Sequence, residues 1–337
     1  MTGLQVLWFV LIGVLFAGFF FLEGFDFGVG MALKTLAKNT DERDALVASI
    51  GPNWDANEVW LITAGGALFA SMPMWYASLF SGFYIPLFLV VLALIFRGVS
   101  FEFRALMKFE SGRNIWEWAT ALGSFFAPFI LGMIFTAMVK GMPMDSQYNV
   151  RGSFFDFVNL FTIVGGVAVT LMSYIHGLNF IRIKTVGQIR QRAAQWAKAL
   201  YPVLLIGEVI FALLVAKDTM FFANKPILTT LILAVIVIAT LISYFATIKD
   251  IEVLSFITSG INLISVVTLL FVGIFPHVMI ANNSKYSLLI ENASSSSYTL
   301  TLMTWLAFSV LPIVLAYQIW SFYIFRKRLT VGATAKH

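Results

Sequence analysis

Long apolar runs alternate with short polar connections along the whole of this chain. A helix needs about 20 apolar residues to cross the roughly 30 Å of hydrocarbon in a bilayer, where it satisfies its own backbone hydrogen bonds. The alternation therefore predicts an all-α integral membrane protein with nine transmembrane helices. The predicted helices cover residues 4–31, 54–76, 79–101, 115–139, 157–181, 199–216, 227–248, 253–280 and 300–325.

The polar connections between these runs are short, and none of them is long enough to form a soluble domain. The pattern thus predicts a single membrane domain over residues 1–337. The spacing of the runs suggests two four-helix units, at 4–139 and 157–280, with a ninth helix appended at 300–325.

Lysine and arginine fall unevenly on the two sides of this predicted topology. Nine spans put the termini on opposite sides of the membrane, and cytoplasmic loops carry an excess of basic residues. Of the 22 basic residues, 17 lie at the C-terminus, where Lys336 is the last, and around the loops after the first, third, fifth and seventh helices. The other five are Lys140, Arg151, Lys217, Lys225 and Lys285. The count predicts an outside N-terminus and a cytoplasmic C-terminus.

The composition agrees with a membrane protein and excludes several kinds of site. Hydrophobic residues make up 60% of the chain and charged residues 12%, against roughly 45–50% and 25% in soluble domains, and the mean hydropathy is +0.89. The absence of cysteine excludes disulfides, iron–sulfur clusters and thiolate-bound haem, and three histidines are too few for a site of several imidazoles. The net charge of +5 forms no continuous basic patch, so nucleic acid is not an expected partner.

Four carboxylates interrupt the first two apolar runs near the predicted cytoplasmic surface. Glu23 and Asp26 lie three residues apart on the first helix, and Asp55 and Glu58 repeat this spacing at the start of the second. Residues three apart share one face of a helix, so two antiparallel neighbours bring all four acids to a similar depth.

This carboxylate cluster has two interpretations. Carboxylates held close together cannot all ionise, so they can exchange protons and form a proton route from the cytoplasm. Alternatively, Arg97 and Arg104 at the end of the third helix supply counter-charges, and the cluster is an ion-paired structural network. Both interpretations stay open at the level of the residue pattern.

Three further polar residues lie within predicted spans. Glu208 is in the middle of the sixth helix, too deep to reach water, so we expect it to have a polar partner or to face a partner subunit. His176 and His277 lie at opposite ends of the fifth and eighth helices, so we do not expect them to bind one haem together.

The chain also carries several long strings of unusual sequence, densest in its first third. They are LEGFDFGVG at 22–30, GPNWDANEVWLITAGGALF at 51–69, SGFY at 81–84 and FRGVSFEFR at 96–104, with shorter strings GSF at 123–125, TVG at 185–187 and MTW at 303–305. These strings closely resemble subunit II of the cytochrome bd quinol oxidases. The resemblance runs through the whole chain.

The resemblance implies a subunit of a terminal oxidase in the bacterial cytoplasmic membrane. In this family a partner, subunit I, binds quinol and holds two b-type haems and one d-type haem, and oxygen is reduced to water with cytoplasmic protons. Subunit II binds no haem itself and supports subunit I, in a lipid environment and in some members beside a small accessory membrane subunit. This chain would therefore carry no cofactor.

The resemblance also implies roles for individual residues. Asp26 and Asp55 match acidic positions of the family motifs and are expected to carry protons, and Trp60 is a candidate for the wall of an oxygen tunnel. Three positions depart from some members: Glu23 replaces Asp, Ala56 replaces Gly and Glu58 replaces Gln. These changes add or lengthen acidic side chains, so they preserve a proton route but leave open which acid dominates it.

Three other classes of membrane protein are alternatives to an oxidase subunit. A proton-coupled secondary transporter also needs buried carboxylates, but its typical signature is a pair of Gly/Pro-broken segments near the middle of the membrane. The acids of this chain lie instead at one edge. An independent haem protein is opposed by the small number of histidines, and a purely structural subunit differs only in whether the four acids move protons.

Overall fold

Polar side chains at the ends of the apolar runs determine where several helices begin. Thr2 forms a capping box with Gln5, and Asn39, Asn159 and Ser296 each accept a hydrogen bond from a backbone N–H of the helix that follows. Such caps satisfy N–H groups that have no partner in the first helical turn. These runs therefore become helices bounded by polar residues.

The computed structural model describes residues 1–331, apart from the side chains of Phe154 and Phe155. Lys336, which the topology prediction counted at the C-terminus, lies outside the described residues. The helices are α1 (Gly3–Thr35), α2 (Thr40–Ile50), α3 (Trp54–Ser71), α4 (Pro73–Gly82), α5 (Tyr84–Leu106), α6 (Glu110–Lys140), α7 (Leu160–Lys184), α8 (Gln188–Asp218), α9 (Phe221–Asn224), α10 (Pro226–Ile248), α11 (Glu252–Ile274), α12 (Ile290–Ala293) and α13 (Ser297–Ile324). Two short strands, β1 (His277–Met279) and β2 (Leu288–Leu289), and two 3-10 turns, Phe154–Phe157 and Ser284–Tyr286, complete the described elements.

Within residues 1–331, eight helices are long and apolar enough to cross a membrane. They are α1, α5, α6, α7, α8, α10, α11 and α13. Each contains most of one predicted run, so the prediction of an all-α membrane protein is confirmed. The second predicted run begins as α3, an 18-residue helix that carries Asp55 and Glu58 and is not among the eight.

The second and third predicted helices differ from the observed ones at their shared boundary. The run at 54–76 breaks at Met72, because Pro73 has no N–H to continue the hydrogen-bond ladder and instead begins α4. The helix predicted at 79–101 begins only at Tyr84. α4 therefore contains the end of the second predicted span, then residues 77–78, and the start of the third predicted span.

The eighth predicted helix, at 253–280, also ends earlier than expected. α11 stops at Ile274, and the chain continues as β1, which pairs antiparallel with β2. His277 thus lies in a strand rather than in a helix, which corrects the prediction. Met142 bridges to Ala281 beside this pair, so the loops after α6 and α11 meet at the same end of the bundle.

α1 lies at the centre of the helix bundle. It packs against α3, α6, α7 and α11. α5 packs on α6, α8 packs on α7 and α10, and α10 packs on α11. α13 is peripheral: all of its residues are described, and only Leu300 and Gln318 among them are buried.

The crossing of α1 and α7 depends on two glycines that face each other. A Cβ atom placed on Gly28 would lie 2.6 Å from the Cα atom of Gly177 and would also overlap the backbone oxygen of Ser173. Backbone atoms cannot move aside as a side chain can, so the two helices approach this closely only because both positions lack a side chain.

We expect Gly28→Ala to destabilise the protein by about 1–3 kcal/mol, the usual cost of overpacking a tight core. The thermal unfolding temperature of the purified protein measures the effect. Gly207→Ala is the matched control, since a Cβ atom at Gly207 on α8 meets nothing within 4 Å and brings the same gain in helix propensity. Equal unfolding temperatures for the two variants would contradict this account of the crossing.

Candidate functional site

A buried arginine pairs with two of the four predicted carboxylates. Arg97 of α5 is completely buried and pairs with Glu23 of α1, and its Nη1 atom lies 3.4 Å from Glu58 Oε2 of α3. The rings of Phe27 and Phe101 lie 5.0 and 5.7 Å from the guanidinium carbon. One cation between two aromatic rings therefore links α5 to α1 and α3, the two helices that carry the acids.

Asp26 lies beside this group and is also completely buried. Its Oδ2 atom accepts a hydrogen bond of 2.8 Å from the Nδ2 atom of Asn57. Among the described residues nothing hydrogen-bonds to Asp26 Oδ1, and the Glu23 carboxylate has only its ion pair with Arg97. Because an unsatisfied buried carboxylate is costly, these oxygens are suited to taking up a proton or a water molecule.

Asp55 and Glu58 connect this interior to the surface of the bundle. Asp55 lies exposed in the first turn of α3, and the side chain of Glu58, one turn further on, is 19% exposed. Asp26 is close enough to both acids to be repelled electrostatically by them. The structure therefore brings the four predicted acids close together. Their burial increases from the exposed Asp55 to the buried Asp26.

Asp55 and Glu58 also line one end of a 790 Å³ cavity between α3, α5 and α6. Most of the other lining residues are apolar, among them Ile62, Phe69 and Val91. Trp60, the tunnel candidate, is not part of this lining. Its ring packs against Gly18 of α1 instead.

Sequence analysis missed a polar contribution from α13. Gln318 donates a hydrogen bond of 3.0 Å from Nε2 to Asn57 Oδ1 and accepts one of 3.1 Å from the indole N–H of Trp60. Ser321, one turn away, donates to Asn53 Oδ1 at 2.7 Å. A single amide inside the last apolar run was the only signal of this contact, and the run alone does not reveal the partner.

Arg104 does not join the carboxylate cluster, which corrects the expectation that both arginines serve it. It pairs with Asp44 at 2.6 Å and with Glu117 at 3.1 Å. Glu117, buried on α6, also pairs with Lys34 at 2.6 Å and with Arg43 at 3.1 Å. One carboxylate thus ties α1, α2, α5 and α6 together, and the sequence had given no reason to single it out.

Glu208 has the polar partners that its depth required. Its Oε1 atom accepts hydrogen bonds from Thr240 at 2.5 Å and from Asn262 at 3.1 Å. Both partners lie within this chain, on α10 and α11. Glu208 also lines a largely apolar cavity of 560 Å³ between α7, α8, α10 and α11.

His176 is held on both ring nitrogens. Nδ1 lies 2.8 Å from Ser259 Oγ, and Nε2 lies 3.1 Å from the backbone oxygen of Phe21, which can only accept, so Nε2 carries the ring proton. The imidazole also stacks on Phe256 with 4.4 Å between ring centres. These contacts give His176 a packing role within the bundle.

A second ionic cluster lies where α7, α8 and the α10–α11 turn meet. Asp250 pairs with Arg182 at 3.1 Å and with Arg190 at 2.5 Å, and Glu252 pairs with Arg190 and Arg328. Desolvation raises the pKa of Asp250, but the hydrogen bonds from Arg190 and Arg182 outweigh it and hold the pKa below its usual value. Asp250 therefore stays ionised and ties the α10–α11 turn to α7 and α8, whereas Glu252 holds Arg328, which follows α13.

Comparison with known proteins bears on what these sites do. The model of a family described as cytochrome bd terminal oxidase subunit II matches residues 4–325. Cytochrome bd ubiquinol oxidase subunit 2 of Bacillus subtilis (strain 168) is 43% identical over 331 residues, which cover 98% of each chain. Cytochrome bd-I ubiquinol oxidase subunit 2 of Escherichia coli (strain K12) is 34% identical over 365 residues, covering 97% of this chain and 95% of that protein.

A solved structure gives independent support for the fold. One chain of the bd oxidase from Geobacillus thermodenitrificans matches with a TM-score of 0.77 over 96% of this chain and 97% of that one. The sequences are 14% identical, so this likeness concerns the fold alone.

We expect Glu117→Gln to destabilise the protein by about 3–5 kcal/mol, because it leaves three partly buried cations without their shared carboxylate. Thermal unfolding of the purified protein and the yield of folded protein in membranes measure the loss. Glu110→Gln is the control, since Glu110 is an exposed acid at the start of the same helix. A Glu117→Gln variant as stable as this control would show that the network contributes little.

Proposed function

Because the chain belongs to the family of cytochrome bd terminal oxidase subunit II, we propose that it acts beside a haem-bearing subunit I in a quinol oxidase. It is a subunit of an oxidoreductase complex and a multi-pass protein of a bacterial membrane. In the proposed complex, subunit I binds quinol, two b-type haems and one d-type haem. A small accessory membrane subunit and lipid complete the surroundings.

This chain itself is proposed to bind no haem. The support comes from the side chains that a haem iron would need. Both ring nitrogens of His176 are engaged, and His277 lies in β1 at the opposite end of the bundle, beside the meeting loops. The residues present therefore do not fit a bis-histidine haem site.

The proposed topology has nine spans, with the α3–α4 pair as the second crossing. Two units of four spans, α1 to α6 and α7 to α11, then precede α13. Clusters around Glu117 and around Asp250 bring many basic side chains to the end of the bundle where α1 ends. Since cytoplasmic ends are rich in Lys and Arg, this arrangement supports a cytoplasmic C-terminus and an outside N-terminus.

The chemical contribution that we propose is a proton route from the cytoplasm. Reduction of oxygen to water consumes protons, which must reach the partner's haem through a protein interior. The observation that carries the proposal is the buried pair Glu23 and Asp26, whose oxygens are largely unsatisfied, at the inner end of a series that starts at exposed Asp55. Three acids around the single charge of Arg97 cannot all be ionised at low cost, so protons are shared among them.

The apolar 790 Å³ cavity beside Glu58 is the candidate passage for oxygen, which is an apolar molecule. Trp60 remains a separate candidate for the wall of an oxygen tunnel, although it does not line this cavity. The alternative function, a proton-coupled transporter, is not favoured, because the break at Met72 and Pro73 lies far along α3 from the acids.

We expect Asp26→Asn and Asp55→Asn each to slow oxygen consumption with quinol, by about tenfold or more where no bypass exists, since each ~1.4 kcal/mol of added barrier is about tenfold. An amide keeps the size of the carboxylate and abolishes proton exchange. Oxygen uptake, proton uptake in vesicles and haem content of the complex are the measurements.

Glu102→Gln is the matched control for this experiment, because Glu102 is an exposed acid on α5 at the same end of the bundle. Asp55 is exposed, so its variant tests the route without disturbing the core. Fully assembled variants that consume oxygen at the parental rate would reduce the cluster to a structural ion-paired network.

We expect the chain purified alone to carry no stoichiometric haem, and His277→Ala and His176→Gln to leave the optical spectrum of the complex unchanged. Glutamine can replace the hydrogen bonds of His176 without supplying an iron ligand of comparable strength. Loss of one haem in either variant would contradict a haem-free subunit.

A further inference from the structure

A buried amide on an exposed apolar helix needs an explanation. Gln318 is one of two buried residues of α13, whereas its neighbours Tyr317 and Ile319 are more than 60% exposed. A polar side chain within a membrane helix is costly unless it finds partners. The partners of Gln318 are Trp60 and Asn57, and Asn57 in turn donates to Asp26, so Gln318 is connected to the carboxylate cluster through Asn57.

Four side chains form one continuous line of hydrogen bonds. Trp60 Nε1 donates to Gln318 Oε1 at 3.1 Å, Gln318 Nε2 donates to Asn57 Oδ1 at 3.0 Å, and Asn57 Nδ2 donates to Asp26 Oδ2 at 2.8 Å. The line starts at an indole and ends at the buried carboxylate. We call these residues the amide line.

The direction of the amide line is fixed by its first member. An indole N–H can only donate, so the oxygen of the Gln318 amide must face Trp60 and its NH₂ group must face Asn57. The same logic then turns the oxygen of Asn57 toward Gln318 and its NH₂ group toward Asp26. An N–H therefore always points at Asp26 Oδ2.

The helix geometry supports this line independently. Asn57 and Trp60 lie three residues apart on α3 and share a face, and Asn53, the residue just before α3, lies four residues before Asn57. Gln318 and Ser321 share a face of α13 in the same way, and Ser321 donates to Asn53 at 2.7 Å. Three hydrogen bonds, two at Gln318 and one at Ser321, hold the two segments in register.

We infer that Gln318 is a positioning residue for Asp26, holding the Asn57 amide so that Oδ2 always accepts an N–H and Oδ1 is left to bind and release the proton. This inference rests on the proposed proton route. Without Gln318 the Asn57 amide is free to turn and present its own oxygen to Asp26. A protonated Asp26 would then donate to that oxygen, and its proton would be retained.

The test compares Gln318→Leu with Ser321→Ala in the whole complex. Both remove a polar contact between α13 and α3, but only Gln318→Leu breaks the amide line. We expect Gln318→Leu to slow oxygen consumption by about threefold to tenfold, the effect of losing one ordinary hydrogen bond. Ser321→Ala is expected to match the parental rate.

Infrared difference spectroscopy supplies a readout that helix docking alone does not change. The carboxyl C=O band of protonated Asp26, identified by its absence in Asp26→Asn, is expected to move to higher wavenumber in Gln318→Leu because its N–H donor is no longer held. Trp60→Phe keeps the ring but removes the N–H that sets the direction, and it is expected to move the band in the same sense. Trp60→Phe also decides the matter if Gln318→Leu does not assemble.

An unmoved band in Trp60→Phe or Gln318→Leu, or equal slowing in Ser321→Ala and Gln318→Leu, would overturn the positioning role. In that case slow oxygen consumption by the Asp26→Asn variant would still support the proton route. If Asp26→Asn itself turns over at the parental rate, the proton route fails and the positioning role fails with it.

Discussion

The rest of this bundle depends on one constraint, the burial of the Arg97 guanidinium group away from water. Arg97 is 0% exposed, and a buried charge is tolerated only when opposite charges surround it. Glu23 and Glu58 meet that need from two other helices, so α1, α3 and α5 must come together at this depth. Acidic side chains can thus lie inside these helices because they offset the free-energy cost of burying the charge of Arg97.

Two of the ionic clusters at this end of the bundle, those around Arg97 and Glu117, have opposite balances of charge. Glu117 is one carboxylate shared by three cations, so all of its charge is compensated and its contribution is structural. Arg97 is one cation near three acids, Glu23, Asp26 and Glu58, so negative charge is in excess. Excess acid at a buried site can be relieved by protons, whereas a compensated carboxylate has no such need. The balance of charge distinguishes a candidate proton site from a scaffold.

The spacing of residues along the sequence predicted which side chains share one helix face. It did not predict which side chains of different helices come into contact. The three-residue interval of Glu23 and Asp26 correctly placed them at one depth. Arg97 and Arg104 were expected to act together, but seven residues of helix separate them by ~10.5 Å, so they reach different clusters. Gln318 lies 261 residues from Asn57, and no periodicity within either segment reveals that contact. The break at Pro73 was readable from the missing N–H, yet the apolar pattern continued through it.

α3 divides two kinds of environment along its length, which bears directly on the proposed function. Its first two turns carry Asp55, Asn57 and Glu58, where protons can be exchanged between acids and the surface. Beyond Trp60 the helix presents Ile62 and Phe69 to the apolar cavity, where a proton would have no partner and oxygen is readily dissolved. Along α3 a proton would therefore find partners only in the first two turns, where Asp55 and Glu58 border one end of the same cavity. Asp26 is not among the residues that line the cavity, so the amide line holds this buried acid beside the polar turns of α3 and away from the proposed passage for oxygen.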